Sequence, residues 1–261
     1  MLKILRKILP LMVLGILCSC DPVAEDDRYH ELEAVEVQRV VLLEEFTGQN
    51  CSNCPTAHEE IEKLQAQYGS SLIVVSTHAT QLAFPEGLLG PNAQTFRTDE
   101  SEAYANMHGV VEIPAGVVNR VSGLQSHKDW AMLIRQQLTR PTNLNISLQA
   151  QLQDGQLQVS TFLNPGEDIE GKLQLWVVED SIVSIQNNSG KMVVDYVHNN
   201  IFRTSINGVG GEPVSLKANV YATLQHTLPV KEVWDLRHLS VVAFVYNDKD
   251  GVINAVRAIV Q

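Results

Sequence analysis

The chain has 261 residues, 44% of them hydrophobic, and 30 acidic against 19 basic side chains give a formal net charge of −11. This length and apolar content predict one large or two ordinary globular domains. The negative charge argues against a nucleic-acid partner, because the phosphate backbone selects basic surfaces. The four cysteines are too few for a small scaffold held together mainly by disulfides.

The N-terminus has the pattern of an export signal. A basic start is followed by an apolar run, residues 8–17, that is too short to span a bilayer. The run ends in Leu17-Cys18-Ser19-Cys20, which resembles the lipobox of bacterial lipoproteins. We therefore predict a signal peptide at 1–19 and lipidation of Cys20. Cys18 is the weaker candidate, because Leu17 would then precede the cleavage site, and an ordinary soluble secreted protein is the other alternative.

An acidic segment, residues 20–34, follows the predicted lipidation site. Several acyl chains on Cys20 would anchor the protein stably, so the lipid bilayer is one expected partner. The segment is interpreted as a disordered, solvated tether. Acid-rich segments in this position also resemble the surface-export signals of some Gram-negative lipoproteins.

A strand, a Cys-x-x-Cys and a helix come next. The apolar run from Val40 to Phe46 predicts a buried strand, and helical spacing of apolar residues continues to Tyr68. Cys51 and Cys54 therefore stand where the strand ends and the helix begins, an arrangement that resembles a thioredoxin-type redox site. A thiolate there is stabilised by the partial positive charge of the helix start. Cys51 is predicted to attack and Cys54 to resolve.

Glu45 lies six positions before Cys51, in a Glu-Phe pair that resembles the buried acid of thioredoxins. The resemblance implies that Glu45 moves protons for the second cysteine. Two other interpretations of the cysteine pair stay open, a purely structural disulfide and half of a zinc site. Zinc needs two further ligands at suitable spacing, and no second Cys pair occurs. No metal or cofactor is predicted.

A second buried strand is predicted at Ser71–Thr77, parallel to the first through the helix, with His78 at its end. Because the carboxyl ends of parallel strands meet at one functional edge, His78 could favour the Cys51 thiolate. An ordinary loop histidine is the alternative. Residues 79–108 are expected to form an insertion that ends in a helix from Ala93 to Met107. A closing helix is predicted at 127–139.

Between these two helices, one strand leads into the Ile113-Pro114 bond and another leads away from it. Thioredoxin-like folds carry a cis-proline at this place, facing the redox pair, and the resemblance implies the same for Pro114. An X-Pro bond tolerates the cis form at a cost of about 0.5–1 kcal/mol.

The pattern changes after Arg140. Apolar and polar residues alternate from Leu144 through an Asp154-Gly155 hairpin signal, and further strands are expected at 172–179, 214–223, 240–246 and 252–260. We therefore predict a thioredoxin-like domain at 35–140 and an all-β, Ig-like sandwich at 141–261. The Gly- and Asn-rich segment 186–212 is expected to be a long functional or variable loop.

The motifs in this order resemble the 28-kilodalton outer-membrane protein family. The resemblance rests on the lipobox, the segment from Phe46 to Pro55, the Ile113-Pro114 segment through Arg120, and the His198–Arg203 segment with the β-rich end. It implies an outer-membrane lipoprotein that is exposed at the cell surface or, alternatively, faces the periplasm. Two functions remain open: thiol–disulfide exchange with a protein partner, and a binding protein that uses the thioredoxin-like part as a scaffold.

Overall fold

The computed structural model describes residues 37–89 and 93–261. The predicted signal peptide, Cys20 and the acidic tether lie outside the described residues. Within these ranges the fold is sheet-rich and mixed, with three short α-helices. None of the helices in the described ranges combines the length and the apolar character that crossing a bilayer requires.

The helices are α1 (Cys54–Tyr68), α2 (Asp99–Met107) and α3 (Trp130–Leu138). The strands are β1 (Val41–Thr47), β2 (Leu72–His78), β3 (Ala115–Val118), β4 (Leu144–Gln153), β5 (Gln156–Pro165), β6 (Ile169–Glu179), β7 (Ile182–Asn188), β8 (Lys191–His198), β9 (Ile201–Ser205), β10 (Glu212–Leu216), β11 (Ala222–Pro229), β12 (Leu239–Asn247) and β13 (Gly251–Ile259).

The first three strands carry the cysteine pair at one end. β1 and β2 are parallel, as expected for strands joined through a helix, and Thr47 stands opposite His78. β3 pairs with β1 in the antiparallel direction. The loop after β1 therefore lies at the same edge of the sheet as the end of β2 and the start of β3.

One eight-stranded sheet extends far beyond these three strands. Its order is β13-β12-β6-β9-β2-β1-β3, and β10 pairs with β6. β9 lies beside β2 through the pair Ser76 and Ile201, so both predicted halves of the chain contribute strands to this sheet. The domain boundary near residue 140 stays a prediction.

Side-chain alternation along the strands builds a core on each face of the sheet. On β1, Leu42 and Phe46 face a cluster that includes aromatic residues of α2, β6 and β12. Val41 and Leu43 face the opposite side, where they pack with apolar residues of α1 and α3. Glu45, two positions after Leu43, shares this second face.

The other end of the sheet packs on a second, three-stranded sheet of order β11-β5-β4. The shared core is formed by alternate residues of both sheets: Leu144, Ile146, Leu157, Val159, Leu163, Leu175, Val177, Val241, Ala243 and Val245. The hairpin between β4 and β5 turns at Asp154 and Gly155, both with positive φ, as its sequence predicts.

Some sequence-based expectations differ from the structure. The segment 186–212 is not a loop, because β7, β8, β9 and the start of β10 occupy most of it. The β7–β8 hairpin turns at Ser189 and Gly190, whose φ values of 53° and 85° suit a tight two-residue turn. Helix α2 begins at Asp99 rather than Ala93, because Thr98 caps it through the amide of Ser101.

Candidate functional site

Cys51 and Cys54 form a disulfide at the start of α1, with their Cα atoms 5.5 Å apart. Cys54 is the first residue of the helix and Pro55 follows it, where a missing N–H has no cost. Cys54 is fully buried and Cys51 is 3% exposed. The structure thus brings the two cysteines together at the predicted place, almost completely shielded from solvent.

The Ile113-Pro114 peptide bond is cis, as the resemblance implies. The carbonyl oxygen of Ile113 lies 3.7 Å from Cys51 Sγ. The proline segment that leads into β3 therefore lies directly against the first cysteine.

Glu45 is fully buried on the face of β1 that packs against α1. The hydroxyl of Ser76 donates a hydrogen bond to its Oε2. The ring of His58, on α1, has its Nε2 3.3 Å from Glu45 Oε1 and 2.9 Å from Thr47 Oγ1. His58 Nε2 is hydrogen-bonded to Thr47 Oγ1, and Glu45 Oε1 lies beside the same nitrogen.

Tyr196, on β8, extends this polar group towards the surface. Its hydroxyl lies 2.8 Å from His58 Nδ1, and the side chain is only half-buried. Burial, with the negative charges of Glu45, Glu62 and Glu59, raises the pKa of Tyr196 to about 12. Tyr196 therefore stays protonated at neutral pH, and its hydroxyl is hydrogen-bonded to His58 Nδ1.

His78 does not join the site as predicted. Its ring packs edge-on against Phe96 and His198, and no hydrogen bond connects it to the cysteines among the described residues. Burial, with the nearby His198, His58 and Arg203, holds the pKa of His78 well below its usual value. The effect of His78 on a Cys51 thiolate stays a prediction.

The β7–β8 hairpin covers the cysteine loop. The buried amide of Gln186 donates to the carbonyl oxygens of Gly48 at 3.2 Å and Cys51 at 3.1 Å. The backbone amides of Asn187 and Ser189 donate to the carbonyls of Gln49 and Ser52. The disulfide is therefore shielded by a segment that lies more than 130 residues further along the chain.

A groove of about 900 Å³ opens on the other side of the proline segment. Its lining includes Leu82, Arg97, Glu102, Val111 and Ile113. The loop that carries Leu82 is held to the cysteine loop, because the amide of Asn50 donates to the Leu82 carbonyl. Cys51 does not line the groove, but Ile113 borders both.

A second charged cluster lies on the opposite face of β1 and was not predicted. Arg120 donates two hydrogen bonds to Glu44, at 2.7 and 2.9 Å, and its guanidinium lies over the rings of Tyr246 and Phe244. Burial alone would raise the pKa of Glu44, but Arg120 and His108 lower it to about 2. The groups around Glu44 are structural, because they join β1 to the aromatic core.

The sequence analysis missed His58 and Tyr196. His58 follows the cysteines by one helical turn, so its position on α1 was available as a signal. No local pattern predicts that Tyr196 contacts His58, because 138 residues separate the two and the sequence predicts a loop around Tyr196.

Comparisons with known proteins bear on both fold and family. A family model, outer membrane protein Omp28, matches residues 101–261. A comparison with curated proteins finds no match.

Among solved structures, HBP35 of Porphyromonas gingivalis is 16% identical, with a TM-score of 0.68 over 86% of this chain and 76% of that one. A protein from Agrobacterium tumefaciens is 15% identical, with a TM-score of 0.52 over 85% of this chain and 95% of that one. A domain of the outer membrane lipoprotein Omp28 from Porphyromonas gingivalis is 20% identical over 46% of this chain and 89% of that one, with a TM-score of 0.35.

The first two structures share the fold alone at this level of identity. The family match covers more than half of the chain and confirms the resemblance drawn from the motifs. The chain therefore belongs to the Omp28 family, and it is an outer membrane protein.

Proposed function

We propose that this outer membrane protein exchanges disulfides with exported proteins through the Cys51–Cys54 pair. One observation supports this function above all: the disulfide stands at the start of α1, against a cis-proline segment. The buried Glu45 lies on the face of β1 that packs against the same helix. A purely structural disulfide needs neither the proline contact nor a buried acid.

The proposed exchange has two steps. A thiolate of the partner attacks Cys51 Sγ, the Cys51–Cys54 bond breaks, and Cys54 leaves as a thiolate that takes up a proton. A second thiolate of the partner then attacks its own sulfur in the mixed disulfide, and Cys51 leaves. The partner ends with a disulfide and this chain with two thiols, and the reverse sequence oxidises the pair again.

We propose that a partner segment binds in the groove beside Ile113 and approaches Cys51 from there. It runs along the proline segment, and it offers apolar side chains such as Leu82 and Val111 together with the charges of Arg97 and Glu102. Val111 is 86% exposed, so it is free to contact a partner. We propose that Pro114 holds the partner's backbone at this place.

The proposal includes the finer architecture and the anchor. We interpret 35–140 as thioredoxin-like, on the parallel β1–α1–β2 unit with β3 after a cis-proline, and 141–261 as a β-sandwich, on the two sheets that share one core. We propose acylation of Cys20 as the anchor, with residues 20–34 as a tether to a surface-exposed or periplasm-facing body. Loss of membrane attachment in Cys20→Ser would test the anchor.

A second function has its own support. The disulfide is almost fully buried and the β7–β8 hairpin seals it, which suits a scaffold whose surface binds another protein. In this alternative the cysteine pair only stabilises the loop at the start of α1.

A redox assay separates the two functions. We expect the full-length protein in detergent to reduce insulin in the presence of dithiothreitol, and we expect Cys51→Ser to abolish this activity. Cys54→Ser should trap a mixed disulfide between Cys51 and the partner, because no resolving thiol remains. A wild-type protein that is inert towards insulin, and a Cys54→Ser variant that traps nothing, would favour the scaffold.

A further inference from the structure

Polar side chains of β1, α1 and β8 form a continuous path from the core to the surface. Glu45 is fully buried, His58 is 15% exposed at its side chain, and Tyr196 is half-buried. Glu45 Oε1 has no hydrogen bond within the described chain, although His58 Nε2 is 3.3 Å away. An unsatisfied buried carboxylate oxygen costs free energy, so this arrangement calls for an explanation beyond packing.

Hydrogen-bond chemistry sets the direction of this path. The Glu45 carboxylate beside Nε2 can only accept, so we assign the proton of a ring with one N–H to Nε2, and Nδ1 then accepts from the Tyr196 hydroxyl. A small rotation of the ring transfers the hydrogen bond from Thr47 to Glu45. His58 can therefore pass a proton from one nitrogen to Glu45 while it receives another from the hydroxyl side.

A small cavity lies beside His58. It has a volume of about 40 Å³, and Ser76 and Tyr196 also line it. A cavity of this size with polar walls can hold a water molecule. Solvent protons thus have both a hydroxyl and a space for water at the outer end of the path.

We propose that His58 and Tyr196 carry protons between solvent and Glu45 during exchange at the cysteine pair. This inference rests on the proposed function and adds a residue of the C-terminal half to the redox site. When the disulfide is opened, His58 passes its Nε2 proton to the Glu45 carboxylate while Tyr196 supplies a proton to Nδ1. Glu45 then passes the proton that it received to the Cys54 thiolate, and Tyr196 recovers a proton from water.

Other titratable groups surround the path. Glu59 and Glu62 of α1 approach Tyr196, and the ring of His198 lies 4.9 Å from it. His78 lies behind His198. None of these four side chains has a hydrogen bond to Glu45, His58 or Tyr196 among the described residues, so variants of His58 and Tyr196 test the path itself.

The test follows reduction of the Cys51–Cys54 bond by dithiothreitol in the full-length protein, across pH 6–9. Rates are divided by the concentration of dithiothreitol thiolate. We expect His58→Ala and Tyr196→Phe to slow the reduction by roughly 10-fold, less than the 10²–10⁴-fold of a direct general acid, because Glu45 remains. We also expect added imidazole to restore the rate of His58→Ala, because it can enter the space left by the ring.

Tyr221→Phe is the matched control, because Tyr221 is 76% exposed, directly precedes β11 and contacts Asn164 of β5, so the variant should leave the rate unchanged. Unchanged rates in both test variants would overturn the proposal. Faster reduction in Tyr196→Phe would also overturn it, because that result would mean that the tyrosine holds the β7–β8 hairpin against α1 instead of carrying protons. The assay needs no protein substrate, so failure of the relay and failure of the exchange with insulin are distinguished.

Discussion

Replacing Gln186 with alanine should open the disulfide to reductants without unfolding the protein. Gln186 is a fully buried residue of β7, and its amide nitrogen donates to the carbonyl oxygens of Gly48, Cys51 and Asn187. The bonds to Gly48 and Cys51 join the hairpin to the cysteine loop, next to further side-chain bonds from Gln49 and Asn187. In Gln186→Ala, the Cys51 carbonyl loses this partner and a small cavity forms.

The size of the effect follows from the lost hydrogen bonds. Leaving a buried polar group unsatisfied costs about 1–3 kcal/mol. If the loss falls on the contact between hairpin and loop, the population with the hairpin open rises by about 5-fold to 140-fold, at 1.4 kcal/mol for each factor of ten. Reduction through an open state follows that population, so its rate should rise by the same factor.

The assay measures reduction of the Cys51–Cys54 bond by dithiothreitol at one pH, with stability measured in parallel by urea unfolding. Gln151→Ala is the matched control, because Gln151 is an exposed glutamine on β4, remote from the disulfide. Equal reduction rates in wild type and Gln186→Ala would refute the role of the hairpin as a cover. A rate increase that tracks global unfolding in urea would refute local opening.

Two further predictions concern buried titratable groups. Burial, with His58 nearby, lowers the pKa of His198 to about 3, so the unfolded chain takes up a proton below pH 6.5 that the folded chain refuses. Stability is therefore full above pH 6.5 and falls with acid by about 1.4 kcal/mol per pH unit for this group. Urea titrations should give His198→Leu a shallower slope between pH 6 and 4, and parallel slopes would contradict this. Removing Arg120 strands Glu44 in the core, so Arg120→Met should cost about 3–5 kcal/mol in urea unfolding, whereas the double variant Glu44→Leu/Arg120→Met should cost less. A loss below about 1 kcal/mol in the single variant would exclude a structural role for the pair.

Local signals in the sequence were sufficient for the elements that hold the cysteines. The apolar run of β1, the proline after Cys54 and the apolar spacing of α1 each follow from physical chemistry over a few residues. The β4–β5 hairpin was equally clear, because its alternation flanks Asp154-Gly155. The thioredoxin resemblance added the cis bond before Pro114, which the residues alone do not dictate.

The rest depends on contacts between distant segments. β7 and β8 form a separate two-stranded sheet, and apolar residues such as Val183 and Val194 are exposed on it. Apolar and polar residues therefore do not alternate in these strands as they do in a strand with one buried face. Their Gly- and Asn-rich turn then dominated the pattern and suggested a loop. The contact between Tyr196 and His58 depends on where this hairpin packs, and the local sequences of β8 and α1 do not predict that position.

The position of β9 has a consequence for how the protein matures. β9 pairs with the edge of the apolar strand β2 that β1 leaves open, through Ser76 and Ile201. The β7–β8 hairpin, which precedes β9 in the chain, covers the cysteine loop. A chain that crosses a membrane from its N-terminus delivers both thiols to an oxidising compartment well before these later segments arrive. A fragment that stops before β7 would therefore lack both the hairpin that covers the disulfide and the strand that pairs with β2.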